Sequence, residues 1–89
     1  MKYKLNEYNI AVSDTGVLFK MQTGESFGMN GIEMLIIKKI RGNYSKEQIK
    51  LFIFAEFDID REIMEEHLEE FLLCMIQQQL IEPMPNEWI

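Results

Sequence analysis

The chain has 89 residues, 47% of them apolar and 27% charged, which allows one domain with a core of its own. Its net charge of -6 argues against a nucleic-acid binder, which needs cations to displace phosphate counterions. No run approaches the roughly 18 apolar residues of a membrane span, and the first residues lack the apolar core of a signal peptide. The single cysteine, Cys74, excludes an internal disulfide and is typical of a reducing compartment, so we expect a cytoplasmic protein.

The N-terminal third predicts a three-stranded antiparallel meander. Apolar residues alternate in the expected strands, which are residues 8–13, 17–21 and 25–29. Between them, Asp14-Thr15-Gly16 and Gln22-Thr23-Gly24 have the composition of tight turns, with glycine available where a positive φ is needed. Such a small sheet cannot stand alone, so helices must cover one face.

The alternation also predicts which side chains share a face. In the second strand we expect Val17, Phe19 and Met21 on one face, and in the third strand Phe27 and Met29. These residues define the expected apolar side of the sheet.

The remaining two thirds predict three helices. They are expected at residues 31–41, 45–57 and 60–79. Asn30 is the expected N-cap of the first, Ser45 opens the second with the capping box S-x-x-Q, and Asp60 caps the third. Gly42-Asn43 is a stop signal for the first helix, and the prolines of the C-terminal segment, Pro83 and Pro85, are expected to end regular structure.

The third helix has an unusually wide apolar side. At roughly 100° per residue its glutamates fall on one side, and the other residues cover an arc of about 220°, where one core needs little more than about 100°. The arc contains Ile63, Met64, His67, Leu68, Phe71, Leu72, Cys74, Met75 and Ile76. One part of it packs inward. The other part either lines a groove or is covered by the first two helices and the C-terminal tail.

The candidates for catalysis and metal binding are few. His67 and Cys74 are the only histidine and cysteine, and seven helical residues separate them by roughly 10 Å. A nucleophilic Cys-His pair needs hydrogen-bond contact, and a zinc site needs three or four ligands. The five glycines match no phosphate-binding motif. We therefore expect no enzyme activity, no metal and no cofactor.

The third strand is expected at an edge of the sheet. An edge strand exposes unpaired backbone donors and acceptors, and residues 25–29 include neither the proline nor the lysine that often protects such an edge. An extended peptide can pair with such a strand through main-chain hydrogen bonds and place alternate side chains in pockets. The apolar flank of the third helix would supply those pockets if it lies beside the strand.

The sequence resembles the PqqD family. The run GVLFKMQTGESFGMN, from Gly16 to Asn30, resembles the family's hairpin, which typically has an apolar strand, T-G, an aromatic residue and Leu-Asn. The helix 30–40, the Arg41-Gly42 stop, the helix opening at 45–49, the break at 57–60 and the closing segments 71–72 and 79–82 follow in the family's order. The resemblance covers residues 8–82, nearly the whole chain.

The resemblance implies an α+β, winged-helix-like fold over residues 1–89, with a three-stranded antiparallel sheet followed by three helices. It also implies a non-catalytic element that binds the leader of a ribosomally synthesised precursor peptide as an added strand. A radical SAM enzyme or another modifying enzyme, or a leader peptidase, then acts on the peptide. By position, the implied peptide contacts are Ser26, Phe27, Gly28, Met29, His67, Phe71, Cys74 and Gln78, although Phe71 is equally placed for the core.

The chain departs from the family pattern at three places. His67-Leu68 stands where an aspartate usually precedes an apolar residue in the third helix. Ile37 replaces the common tryptophan of the first helix, and Gln79 replaces the glycine before the terminal apolar pair.

Two other functions are compatible with the same residues. In a winged-helix transcriptional regulator, the second and third helices would form a helix-turn-helix, and Lys38, Lys39, Lys46 and Lys50 would touch the DNA backbone. The acidic third helix would then oppose the phosphates. In a structural or assembly subunit, the apolar flank of the third helix would form a homodimer.

Overall fold

The computed structural model describes residues 1–84, which contain five strands and three helices. In chain order these are β1 (Tyr3–Leu5), β2 (Ile10–Val12), β3 (Val17–Lys20), β4 (Glu25–Gly28), α1 (Gly31–Arg41), α2 (Lys46–Glu56), α3 (Arg61–Gln77) and β5 (Ile81–Pro83). The predicted α+β order, a three-stranded antiparallel sheet followed by three helices, is confirmed by β2 to α3. The strands β1 and β5 add a second, two-stranded sheet.

The three-stranded sheet has β3 at its centre and β2 and β4 at its edges. Both turns that join the strands use glycine in the left-handed region, since Gly16 has φ 89° and Gly24 has φ 77°. The first strand is shorter than the predicted 8–13. Tyr8 is 98% exposed in the preceding turn, and pairing begins only at Ile10.

The predicted apolar face of β3 was wrong. Leu18 is fully buried and lies opposite Phe27, whereas Phe19 is 39% exposed and Met21 is 59% exposed on the other face. Val17-Leu18-Phe19 is apolar throughout, so alternation alone allowed either phase of the strand. The register with Phe27, which packs against the core as expected, decides between them.

The three helices begin where the capping residues indicate. The Asn30 side chain accepts from the Glu33 amide at 2.8 Å, and the Glu33 carboxylate accepts from the Asn30 amide at 3.0 Å. Ser45 and Gln48 form the same reciprocal pair at the start of α2, and Asp60 accepts from two amides of the first turn of α3. No helix in the described range 1–84 is both long enough and apolar enough to cross a bilayer.

The strands β1 and β5 pair the two ends of the described chain. Tyr3 lies opposite Pro83 and Leu5 opposite Ile81. Neither strand was predicted from the sequence, because three residues are too few to show a period of two. Pro83 was expected to end regular structure, yet it occupies the last position of β5, which is an edge strand and so tolerates the missing amide hydrogen. Pro85 lies outside the described residues.

The core lies between the two sheets and the helices. Its fully buried side chains include Leu18 of β3, Ile36 of α1, Ile53 of α2, Leu68 of α3 and Leu80 before β5. Ile37, at the position of the family's tryptophan, is 1% exposed and belongs to the same cluster. Each helix therefore contributes one face to a single core.

One polar side chain, Asn9, is buried near this core at 5% exposure. Its Oδ1 accepts from the Gln22 amide at 2.9 Å, and its Nδ2 donates to the Gln79 carbonyl at 3.4 Å. Asn9 therefore links the second turn of the sheet to the segment between α3 and β5.

Candidate functional site

The strand β4 has a free edge. In the sheet order β2-β3-β4 it pairs with β3 on one side, and no described strand pairs with its other side. This is the edge position that the sequence predicted for the third strand. An unpaired edge is a template for another extended chain.

The register identifies the backbone groups that the free edge presents. The Met29 amide donates to the Gly16 carbonyl at 2.7 Å, so these two residues form a hydrogen-bonded pair. Bonded and non-bonded pairs alternate along an antiparallel ladder, so the Val17–Gly28 pair and the Phe19–Ser26 pair are non-bonded. The amide and carbonyl groups of Ser26 and Gly28 consequently point away from β3, toward the free edge.

The four predicted contact residues of the strand thus divide into two kinds. Ser26 and Gly28 present outward backbone groups, and the edge stays accessible because Ser26 has a small side chain and Gly28 has none. Phe27 and Met29 direct their backbone groups toward the β3 side, and their half-buried side chains pack against the core. Any contact that these two make with a partner therefore involves the side chain.

His67, Phe71, Cys74 and Gln78 form one stripe of α3, because residues at this spacing share one side of a helix. At one end, Gln78 Oε1 accepts from Lys20 Nζ at 3.2 Å, and Lys20 lies opposite Glu25 of β4. At the other end, His67 lies beside Glu33 of α1, three residues after the N-cap that follows β4. The stripe therefore runs along β4.

The opposite flank of α3 is already covered. Leu72 is buried and Ile76 is half-buried, and both line a shallow cleft that includes Tyr3 of β1. Further along, Ile76 lines a second cleft with Ile81 of β5. Of the two flanks that sequence analysis left open, the flank beside β4 is the one without a covering strand among residues 1–84.

The four predicted helix residues differ in exposure. Cys74 is exposed, and His67 and Gln78 are half-buried, so all three can contact a molecule in the space beside β4. Phe71 is 8% exposed and belongs to the core cluster. Phe71 therefore has mainly a core role, which was one of its two predicted positions.

Ile63 was not among the predicted contact residues of this site. Ile63 lies one helical turn before His67 and is 61% exposed. It was included in the wide apolar arc, and its spacing of four residues from His67 is the signal that places it on the same stripe. Ile63 extends the apolar wall toward the start of α3.

His67 carries an unmet hydrogen-bonding group. Its Nε2 atom is buried and has no hydrogen-bond partner among the described residues. The nearest carboxylate oxygen, Oε2 of Glu33, is 3.7 Å away, which is too long for a hydrogen bond. The other oxygen of Glu33 is held in the capping box with Asn30.

The same stripe keeps His67 and Cys74 two helical turns apart. Within the described part of the chain, no three histidine, cysteine, aspartate or glutamate side chains group together as ligands of a metal ion. The arrangement along β4 consists of main-chain hydrogen-bonding groups beside a partly apolar wall.

No protein-family model and no curated protein sequence matches the chain. Two solved structures share its fold. One is lasso peptide synthetase B1 complexed with the leader peptide, with 21% identity, a TM-score of 0.77, and 93% of this chain and 100% of that chain covered. The other is TbiB1 in complex with the TbiA(beta) leader peptide, with 28% identity, a TM-score of 0.76, and 93% and 99% covered. Both matches support the resemblance found in the sequence.

Proposed function

We propose that this chain binds the leader segment of a ribosomally synthesised precursor peptide as an additional strand along β4. The observation that carries the proposal is the free edge of β4, where Ser26 and Gly28 direct their backbone groups outward beside the open flank of α3. Lasso peptide synthetase B1 and TbiB1, whose fold the chain shares, are each complexed with a leader peptide.

The geometry favours a leader in which apolar side chains alternate with side chains that face solvent. Its backbone pairs with Ser26 and Gly28, and every second side chain turns toward α3. Those inward side chains meet Phe27 on one side and the stripe from His67 to Gln78 on the other. Because the exposed Cys74 and Ile63 lie along this stripe, apolar inward residues are preferred.

In this proposal the whole chain acts as one binding domain in the cytoplasm and catalyses nothing itself. It holds the peptide for a second protein, either a modifying enzyme such as a radical SAM enzyme or a leader peptidase. No cofactor is required, because strand addition uses only hydrogen bonds and apolar contacts. The separation of His67 from Cys74 supports the non-catalytic role, because the two cannot form a nucleophilic pair.

The helix-turn-helix alternative has less support. Lys46, one of the four lysines expected to touch DNA, pairs with Glu69 of α3. The would-be recognition helix α3 also presents Glu62, Glu66 and Glu70 to solvent, where phosphates would be repelled.

The proposal is tested by titrating the isotope-labelled protein with synthetic leaders of the precursor peptides encoded beside its gene. We expect a Kd in the micromolar range or tighter, which corresponds to about 8 kcal/mol or more. The shifted amide signals should cluster at residues 25–29 and 67–78. If none of these leaders binds, or if the shifts lie elsewhere, the proposal is wrong.

A further inference from the structure

Residues 51–55 of α2 are apolar on every side of the helix, although only one side enters the core. Ile49 and Ile53 are fully buried, whereas Leu51 is 69% exposed and Ala55 is exposed beside it. A helix that is apolar all round is normally covered on all sides. None of the described elements covers the side that carries Leu51.

This uncovered side borders a shallow cleft of about 360 Å³, lined by Tyr44, Gln48, Leu51, Phe52 and Ala55. We call these five residues the α2 surface. Two aromatic side chains pack together in this surface, because the rings of Tyr44 and Phe52 meet edge to face with centroids 4.9 Å apart and planes at 76°. Such a cleft has the shape and apolar lining that accept side chains of a partner helix.

A cation lies over the α2 surface in a chain whose net charge is -6. Lys39 Nζ lies 3.9 Å from the centroid of the Phe52 ring and 5.3 Å from that of the Tyr44 ring, and both rings belong to this surface. Of the two acids of α2, Glu47 is paired with the N-terminal ammonium at 3.0 Å, a hydrogen bond that lowers the pKa of Glu47, and Glu56 is the last residue of the helix. Charge complementarity therefore favours an acidic partner at this surface.

We propose that the α2 surface docks an amphipathic helix with acidic flanks, carried by the enzyme that acts on the bound leader. The apolar side of that helix covers Leu51 and fills the cleft, and its carboxylates face Lys39. The 11 residues of α2 span about 16 Å, enough to align with three turns of a partner helix. The assignment of that partner helix to the enzyme rests on the leader-binding function proposed above.

The α2 surface and the β4 edge share no residue, so both can be occupied together. The start of α2 is joined to α3 by the Lys46–Glu69 ion pair. Glu69 lies seven residues before Ile76 and so on the flank that β1 and β5 cover, away from the stripe that faces β4. A single domain thus holds the peptide on one side and the enzyme on the other.

The test uses the full chain and two synthetic amphipathic 18-residue helices. One carries leucine and alanine on its apolar side and glutamate elsewhere, and the other replaces every glutamate by lysine. We expect the glutamate helix to shift amide signals at residues 44–55 and its affinity to fall with added salt. The lysine helix should bind at least tenfold more weakly.

Two matched variants locate the binding. Leu51→Asp should weaken binding of the glutamate helix at least tenfold, because it places a carboxylate at the centre of the α2 surface. Leu73→Asp is the control, since Leu73 is likewise exposed, at 56%, but lies on α3. It should leave the affinity unchanged. Equal binding of both helices, equal effects of both variants, or shifts at the β4 edge would overturn the inference.

Leader binding by the same variants separates the two proposals. If Leu51→Asp loses the acidic helix but still binds the leader, both proposals stand. If no leader binds while the acidic helix docks at residues 44–55, the leader function fails and the α2 surface remains a docking site. Self-association that Leu51→Asp abolishes, or duplex DNA that competes with the acidic helix, would replace the proposed partner and overturn the inference.

Discussion

Gln79 has a backbone conformation that side chains rarely adopt. Its φ is 61°, in the left-handed region, at the turn between α3 and β5. A non-glycine residue in this region lowers the free energy of unfolding by roughly 1 kcal/mol. The PqqD family, which the sequence resembles, has glycine at this position. The side chain of Gln79 is exposed, whereas its backbone carbonyl accepts hydrogen bonds from Asn6 and Asn9.

We expect Gln79→Gly to raise the free energy of unfolding by about 0.5–1 kcal/mol, because it removes the strain and keeps the carbonyl. Urea unfolding measures the change. The matched control is Gln77→Gly in the last turn of α3, which should lower the free energy of unfolding by about 0.5–1 kcal/mol. An unchanged or lower stability of Gln79→Gly would show that the turn is not strained.

Gly28 is the residue at which the leader-binding proposal is most directly tested. Its amide points to the free edge, so Gly28→Pro removes a donor for the peptide and no hydrogen bond to β3. We expect the leader affinity to fall at least tenfold, about 1.4 kcal/mol. The control Gly28→Ala keeps the amide, and a Cβ there meets no atom within 4 Å, so its affinity should stay within about twofold. Isothermal titration of both variants decides the point, and equal affinities would place the peptide elsewhere.

At the scale of the elements, the free strand and the open helix flank form one site only if the peptide contacts both. Cys74 is the single cysteine of the chain and is exposed midway along the stripe of α3. It is therefore a probe of the helix side of the site.

Saturating leader should slow the alkylation of Cys74 at least tenfold, because a peptide paired with β4 covers the stripe. Mass spectrometry of the reaction with iodoacetamide measures the rate. In the control, Cys74→Ser combined with Leu73→Cys moves the thiol onto the solvent side of α3, where leader should change the rate little. A Cys74 that reacts equally fast with and without bound leader would confine the peptide to the strand.

The sequence allowed the helices to be predicted better than the strands. Capping residues act locally, so Asn30, Ser45 and Asp60 marked the true helix starts. The phase of β3 could not be found locally, because Val17, Leu18 and Phe19 are all apolar and only the pairing with β4 selects a face. The strands β1 and β5 were missed for a related reason, since each is formed only by pairing with the other.

The candidate site could likewise be predicted only where local patterns in the sequence determine it. The edge position of β4 followed from the order of three strands, and the apolar arc of α3 followed from its period. Which flank of α3 remains open depends on β1 and β5, so it could not be predicted. The unmet Nε2 of His67 arises from its distance to Glu33 of α1, a contact between residues 34 positions apart.

At the scale of the whole molecule, the β1–β5 sheet joins the two ends of the described chain to the core. Leu5 is 4% exposed and lies opposite Ile81, whereas Lys4, its neighbour in β1, is exposed. Because this sheet covers the far flank of α3, its stability supports the whole fold.

We expect Leu5→Ala to lower the free energy of unfolding by about 2–4 kcal/mol, the usual range for a buried leucine. Lys4→Ala, on the same strand but exposed, should change it by less than about 0.5 kcal/mol. Chemical denaturation with guanidinium measures both. Similar small effects of the two substitutions would mean that β1 contributes little to the fold.

The alternation of backbone groups along β4 restricts the register in which a bound peptide, the guest, can pair with this strand. Only every second residue, Ser26 and then Gly28, offers bonds to a guest. A guest that slides by two positions meets the same bonds with the same side chains turned inward, whereas a slide by one exchanges the inward and outward sets. Inserting one residue into a guest should therefore disrupt recognition, and inserting two should largely restore it.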